Sequence, residues 1–455
     1  MLTYDLKKAP GIPLYESLYR HIRGDILSGR LAAGEQLPSK RALAAHLEVS
    51  KITVEAAYAQ LLSEGFITSR EKVGYFVESV QPQREVPLPL SCELEQSQDA
   101  GLDLTGGGGG KFPFSVWSRL QREVMLDYGP ELLRPLPNQG LPSLRQAIAR
   151  HLAEFRDMTV SPENILVGAG TDFLYNLLIQ LLGRDKLYAV EDPGYGKIHK
   201  IYAAGGARCV PIPMDESGVM PSALADAQVL HISPSHHFPT GLVMPMHRRL
   251  ELLGWVARGD NWLIEDDYDS EFRFDQRPKP ALHTLDGAGR VIYMNTFSKS
   301  LAPSIRISYM VLPSALMQVF RERLGFYSCT VPSFEQYTLE RFLSRGHFEK
   351  HINRMRKYYK NRRNRLLELL SGRPGLTILE QDAGLHFLLK VDTELDDAAL
   401  VARCRERGVL LHSLSQYYHG PVPQEAQHTL IVNYDRLSDR DLQSLEQVLK
   451  GWNLP

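Results

Sequence analysis

The chain has 455 residues, 43% of them hydrophobic, enough material for a large buried core and two or three domains. A formal net charge of −1 excludes a global field that would draw it to nucleic acid or acidic membranes, so any DNA contact must be local. Cys92, Cys209, Cys329 and Cys404 lie far apart with no Cys-x-x-Cys pair, and neither a secretion-signal core nor an apolar run of about 18 residues is present. A cytoplasmic protein without disulfides, metal site or membrane span is expected.

From Pro13 to Val77 the pattern reads helix, helix, turn, helix, hairpin. Leu14, Leu18, Ile22 and Ile26 define one helix face that ends near Ser28-Gly29. After Leu37-Pro38-Ser39 comes a short helix carrying Leu43, Ala44 and Leu47, then a turn through Glu48-Val49-Ser50, with Ser50 placed to cap a third helix. That helix puts Val54, Ala57, Tyr58 and Leu61 on one side and Ile52, Glu55, Ala56 and Ala59 on the other. Phe66 to Arg70 and Tyr75 to Val77, separated by Glu71-Lys72-Val73-Gly74, predict a two-stranded wing. The expected boundaries are a winged helix-turn-helix over 1–78, a Pro-containing polar linker over 79–101, and an effector domain over 102–455.

Gly106 to Gly110 is a glycine run with no helix signal directly behind it, so it reads as a close-packed entry segment rather than a phosphate loop. Beyond it, apolar strand-like runs at Ile165-Leu166-Val167, Lys186 to Val190, Val229 to Ile232, Trp262-Leu263-Ile264 and Val291 to Met294 alternate with helical stretches. Such alternation predicts a parallel sheet covered by helices. A smaller α/β portion begins at Asp382-Ala383-Gly384.

Lys299, in Thr296-Phe297-Ser298-Lys299, is an amine beside hydroxyls, the arrangement a Schiff-base lysine needs to attack an aldehyde. Asp266 follows the mostly apolar, strand-like Trp262-Leu263-Ile264-Glu265 and so lies at the carboxyl edge of the sheet, where open α/β folds bind ligands. There it would face a protonated pyridine nitrogen, while Tyr268 would donate to the neighbouring phenolate oxygen; a solvated acidic turn is the plainer alternative. Ile165 to Ala169, then Gly170-Thr171 and a helix, form a strand, a tight turn and a helix N-terminus that attracts phosphate. Thr296, Ser298 and Arg306 would complete that cradle, and Tyr195, at another strand end, would stack on the ring. These residues point to pyridoxal 5'-phosphate as cofactor. Asp172 is assigned no ligand role, since like charges repel unless its side chain points away.

On the DNA side, Lys40, Arg41, Ser50, Lys51, Thr53, Arg70 and Lys72, with Gly74 in the wing, are the candidate contacts, most of them to phosphate. Ile52, in the first turn of the third helix, is placed to touch a thymine methyl in the major groove. The basic stretch from His347 to Leu370 could guide DNA, but a helix paired with nearby acids is the more ordinary reading.

Four segments carry a resemblance: Leu37-Pro38-Ser39-Lys40-Arg41-x-Leu43-Ala44, Ser233 to Gly241, Glu265 to Arg273, and Thr296 to Arg306. With them, Pro13 to Val77 resembles a GntR-type winged helix and residue 103 onward a fold-type I aminotransferase, a fusion similar to MocR/GabR-type regulators. The resemblance implies a mostly parallel seven-stranded sheet with a smaller C-terminal α/β portion. It puts the cofactor on Lys299, its pyridine nitrogen at Asp266 and its phosphate at Arg306. It also implies double-stranded promoter DNA and a homodimer with swapped DNA-binding domains as partners.

Two departures bear on function. Phe238 stands where aminotransferases carry a cofactor-binding asparagine, which leaves His236 or His237 to take over, and Ile431 stands where they carry the arginine that grips a substrate carboxylate. Lys197 and Arg436 are candidate replacements for that arginine. A regulator that senses pyridoxal phosphate, an amino acid or another amine through Schiff-base chemistry at Lys299 is expected. The competing expectation is an aminotransferase with an accessory DNA-binding module.

Overall fold

The computed structural model describes residues 2–6, 13–79, 101–107, 111–224, 226–274, 279–379 and 384–450. The linker expected over 79–101 falls, apart from its two end residues, outside the described residues, as do Gly108 to Gly110 and Asp382-Ala383. The chain divides into two compact units, residues 1–97 and 98–455.

In the first unit, Leu18, Ile22 and Ile26 bury one face of the helix Leu14–Leu27, whereas Leu14, in its first turn, stays exposed. They pack on Val54, Ala57, Tyr58 and Leu61 of the helix Lys51–Ser63. Ser39 caps the short helix Lys40–His46 by accepting the Ala42 N–H at 3.2 Å, and Ser50 caps Lys51–Ser63 by accepting the Thr53 N–H at 3.1 Å. Each such cap contributes about 1 kcal/mol. The wing pairs Ile67–Arg70 with Gly74–Val77, and a third strand, Gln36–Leu37, adds to the free edge of Gly74–Val77. Two residues are too few to carry a periodic signal, so that strand is not legible in the sequence.

The second unit is built on one large sheet in the order Ile165–Gly168, Ser308–Val311, Val291–Thr296, Trp262–Asp266, Val229–Ile232, Leu187–Asp192, Arg208–Asp215 and Gly218–Val219. The first seven are the expected sheet, in which only Ser308–Val311 runs against both neighbours. Gly218–Val219 is a two-residue hairpin return on the edge. Central strands such as Val229–Ile232 and Val291–Thr296 are buried along their whole length, as a sheet covered on both faces requires.

Register fixes where the chemistry collects. Asp266 pairs with Met294, Thr296 with Ser308, and Ser308 with Gly168. Asp266, Thr296 and Gly168 therefore sit together at the carboxyl edge of the sheet.

A second sheet, in the order Leu376–Leu379, His386–Val391, Thr429–Asn433 and His412–Ser413, is antiparallel throughout. Its first strand precedes Asp382, so this portion starts earlier than the sequence signals. The helix His347–Leu370 spans 24 residues. Much of its basic charge is engaged within the protein: Arg362 and Arg365 meet Asp439 at 2.6 and 3.0 Å, Arg356 donates to the Glu271 carbonyl at 2.6 Å, and Arg363 lies over Phe274. That arrangement agrees with the ordinary reading of the stretch and not with a DNA track. Among the described residues no helix is long and apolar enough to cross a membrane.

Candidate functional site

Lys299 lies on the single turn Phe297–Ser300 at the end of Val291–Thr296. That turn is held by Thr296, whose hydroxyl accepts the Ser298 N–H at 3.1 Å and the Ser308 hydroxyl at 2.8 Å. Thr296 thus faces into the fold and fixes the lysine's turn. The Lys299 Nζ stands 3.6 Å from Oδ2 of Asp435, a residue nearly without solvent access.

Asp266 is buried at the end of Trp262–Asp266. Its Oδ2 accepts the Tyr175 hydroxyl and faces His231 Nε2 at 3.4 Å, and His231 Nδ1 lies 2.6 Å from the Tyr202 hydroxyl. A carboxylate only accepts, so Nε2 carries the His231 proton and Nδ1 accepts from Tyr202. Asp266 Oδ1 is buried and has no hydrogen-bond partner. A buried, unanswered carboxylate oxygen is costly unless a ligand supplies a donor, and a protonated pyridine nitrogen is a donor of the right charge. By that criterion the residues present fit pyridoxal phosphate.

Tyr268 is half-buried among residues that include acidic neighbours; desolvation of its hydroxyl and then Asp269 hold it well above the usual tyrosine range, so it remains a donor. The hydroxyl lies 3.3 Å from His236 Nδ1, which also meets Asp269 at 2.8 Å. His236, rather than His237, is therefore the histidine that meets Tyr268. His237 turns to Thr240 at 2.7 Å and to Glu191 at 3.4 Å. Burial pushes the Glu191 carboxyl up to about 8, and burial with the neighbouring His236 pushes the His237 imidazole down to about 3. Both shifts run toward the neutral form, the direction that burial imposes on an acid and on a base alike.

At the phosphate end, Gly170 caps the 12-residue helix Thr171–Leu182 with φ of 86°, and a Cβ there would lie 2.3 Å from Arg306 Nη2. The missing side chain is what lets the guanidinium rest against this turn. Arg306, itself left-handed with φ of 48°, reaches Asp172 at 3.3 Å, and Lys197 reaches the same carboxylate at 2.7 Å. Asp172 thus positions two cations beside the helix N-terminus. Tyr195 is half exposed and meets Phe238 edge-on at 6.1 Å.

Phe238 and Ile431 come together: Ile431 is fully buried in an apolar cluster with Leu388, Leu414 and Ala426, and Phe238, Tyr417 and Tyr418 pack against it. The two candidate replacement cations are already engaged, Lys197 with Asp172 and Arg436 with Asp103 and the Gly107 carbonyl. Asp435, Tyr175, His231 and Glu191 were not singled out from the sequence. Only Asp435 carried a usable signal: it lies four residues after Ile431, just beyond the end of the strand Thr429–Asn433, and continues its alternation.

On the first unit, Ile52 is 76% exposed at the start of Lys51–Ser63, and Arg41, Lys51 and Lys72 are exposed. Lys72 takes φ of 62° at the wing turn, and at Gly74 a Cβ would come within 2.9 Å of Gln36 Nε2. Ser50 and Thr53 join hydroxyls at 2.8 Å. Lys40 is bonded to Glu55 at 2.8 Å, and Arg70 stacks over Phe76, so these two charges are held by partners within the unit.

Residues 14–77 match the bacterial regulatory proteins of the gntR family, and residues 105–425 match aminotransferase class I and II. The chain is 36% identical to the HTH-type transcriptional regulator YdeL of Bacillus subtilis over 100% of both chains. It is 33% identical to the probable rhizopine catabolism regulatory protein MocR of Rhizobium meliloti, covering 92% of this chain and 90% of that one. An archaeal alanine:glyoxylate aminotransferase superposes with a TM-score of 0.69 at 24% identity, over 77% of this chain and 90% of its own, a likeness of fold. A winged unit of one family joined to an aminotransferase body of another, along the full length of such relatives, makes this chain a member of the MocR-type family of HTH transcription regulators.

Proposed function

We propose that the large unit takes pyridoxal phosphate at Lys299 and that arrival of the cofactor, or of a small amine at the same place, biases the promoter affinity of a homodimer with swapped DNA-binding units. The observation that carries this reading is Asp266 Oδ1, buried and without a donor beside the lysine's turn. When bound, the cofactor supplies an aldehyde with which a primary amine condenses. The protein's own residues bind and orient. Asp266 would hold a proton on the ring nitrogen while Tyr175 and His231 fix its other oxygen, and Tyr268 would supply a hydroxyl donor. Arg306 and the first turn of Thr171–Leu182 hold the phosphate. Lys299 supplies the amine. A ligand shifts DNA binding by no more than its differential affinity for the two arrangements of the dimer.

Titrating the apo-protein with pyridoxal phosphate tests the reading. A long-wavelength absorption band is expected in the wild type and not in Lys299→Ala. The intact Lys299 and Asp266 also favour a second reading, an aminotransferase with an accessory DNA-binding module. Many turnovers of an amino donor with a keto acid would establish that second reading, and a single spectral change on amine addition the first.

A further inference from the structure

The strand Thr429–Asn433 shows two faces. Leu430, Val432 and, beyond the strand, Tyr434 pack into the core of the unit. Ile431, Asn433 and Asp435 alternate with them and turn toward the site: Ile431 joins the cluster with Phe238, Asn433 donates to the Thr105 carbonyl at 3.0 Å, and Asp435 meets Lys299. This face offers a ligand one apolar side chain, one amide already engaged and one carboxylate.

Asp435 is 1% exposed at its side chain, accepts the Gly107 N–H at 3.2 Å through Oδ2, and leaves Oδ1 buried without a partner. Its neighbour Arg436 turns away to Asp103 and the Gly107 carbonyl. Burial raises the Asp435 carboxyl above its ordinary range while Lys299 opposes that shift, so the carboxylate depends on a positive nitrogen beside it.

We propose, resting on the cofactor reading above, that Asp435 is the counter-charge to the nitrogen at Lys299 and that the site selects a primary amine with no carboxylate on the carbon bearing the nitrogen. A ligand amine that replaces Lys299 at the cofactor's carbon does so in balance. The C=N linkage to Lys299 breaks as a C=N linkage to the ligand nitrogen forms, and with the linkage protonated before and after, a single proton passes from the ligand nitrogen to the departing lysine nitrogen. The ligand nitrogen then lies where Lys299 Nζ lay, beside Asp435. In an α-amino acid the carboxylate carbon is only about 2.5 Å from that nitrogen, so it comes close to the Asp435 carboxylate that faces the nitrogen. Like charges at such range disfavour the acid by on the order of tenfold to a hundredfold.

The experiment uses the full-length protein loaded with pyridoxal phosphate and two probes that differ only in the α-carboxylate, n-butylamine and norvaline. Each is titrated against the protein's absorption band and normalised to its condensation with free pyridoxal phosphate in the same buffer. Butylamine is expected to half-saturate at a concentration lower by about tenfold or more. Asp435→Asn, which keeps the shape and removes the charge, should narrow the gap by strengthening norvaline, and Ile431→Arg should narrow it further. Norvaline acting at an equal or lower concentration than butylamine, neither probe acting, or a gap untouched in both variants would each overturn the proposal. Failure of the cofactor reading shows separately and earlier, as loading that gives no Lys299-dependent band before any amine is added.

Discussion

Replacing Asp266 with asparagine isolates the interaction on which cofactor capture depends. The side chain keeps its shape, but its two oxygens have different duties: Oδ2 accepts from Tyr175 and faces His231, and Oδ1 has no donor in the protein. An amide must keep its one oxygen toward those two donors, which leaves an NH2 group aimed where the ring nitrogen's proton would lie. A charge-assisted hydrogen bond contributes about 1.5–3 kcal/mol, so Asp266→Asn should weaken pyridoxal phosphate by roughly 10- to 150-fold. Equilibrium dialysis of the apo-protein against the cofactor reads this directly. Tyr175→Phe, which removes one donor to Oδ2 and leaves Oδ1 as it was, should cost only about 1 kcal/mol. Thermal unfolding of the apo form should show no loss in Asp266→Asn, since the change removes a buried carboxylate with an unanswered oxygen. An affinity within about threefold of wild type would refute the assignment of Oδ1 to the ring nitrogen.

Gly170→Ala forces a side chain into a glycine-only conformation and into Arg306, so it should lower stability by about 1–3 kcal/mol and weaken the cofactor's phosphate grip, both readable by a melting curve with and without pyridoxal phosphate. Glu191, with its carboxyl raised to about 8, contributes stability that is full below the unfolded carboxylate range and is lost as pH rises to about 8. His237, lowered to about 3, contributes in the opposite sense, its stability present above the ordinary histidine range and lost as pH falls toward 3. His237 is common to wild type and variant and cancels in their comparison, so Glu191→Gln should show its gain, on the order of a few kcal/mol at most, in urea unfolding near pH 8 and little of it near pH 4. An unchanged wild-type-to-variant difference between those two conditions would contradict it. For DNA, an operator in which deoxyuridine replaces the contacted thymine should cost the wild type about 1 kcal/mol and cost Ile52→Ala almost nothing in a fluorescence-anisotropy titration.

The parts of the fold that were legible were those with a strong period. Leu18, Ile22 and Ile26 on one helix, and the buried runs at Val229 to Ile232 and Val291 to Met294, each repeat often enough to declare an element. Gln36–Leu37 and Gly218–Val219 do not, because a two-residue strand owes its existence to the neighbour it pairs with. In the candidate site, Lys299, Asp266 and Arg306 could be proposed from the sequence because Asp266 ends an apolar strand-like run, Lys299 follows another, and Arg306 comes seven residues after Lys299. Tyr175 and His231 were not: they sit inside apolar segments, and only the packing of Thr171–Leu182 and Val229–Ile232 turns their polar ends toward Asp266. Thr296 shows the reverse limit, since a hydroxyl near a phosphate-binding lysine turn proves to be spent on Ser298 and Ser308. Lys40 shows it for DNA, where a basic residue at a helix start is already bonded to Glu55.

The central claim, that a cofactor held at Lys299 controls a DNA-binding head, is tested most directly by promoter affinity during titration of the full-length apo-protein with pyridoxal phosphate. The promoter's dissociation constant should move over the same cofactor range in which the absorption band appears, and Lys299→Ala should hold it still. A promoter affinity that stays constant while the band saturates, or one that moves equally in Lys299→Ala, would contradict the account.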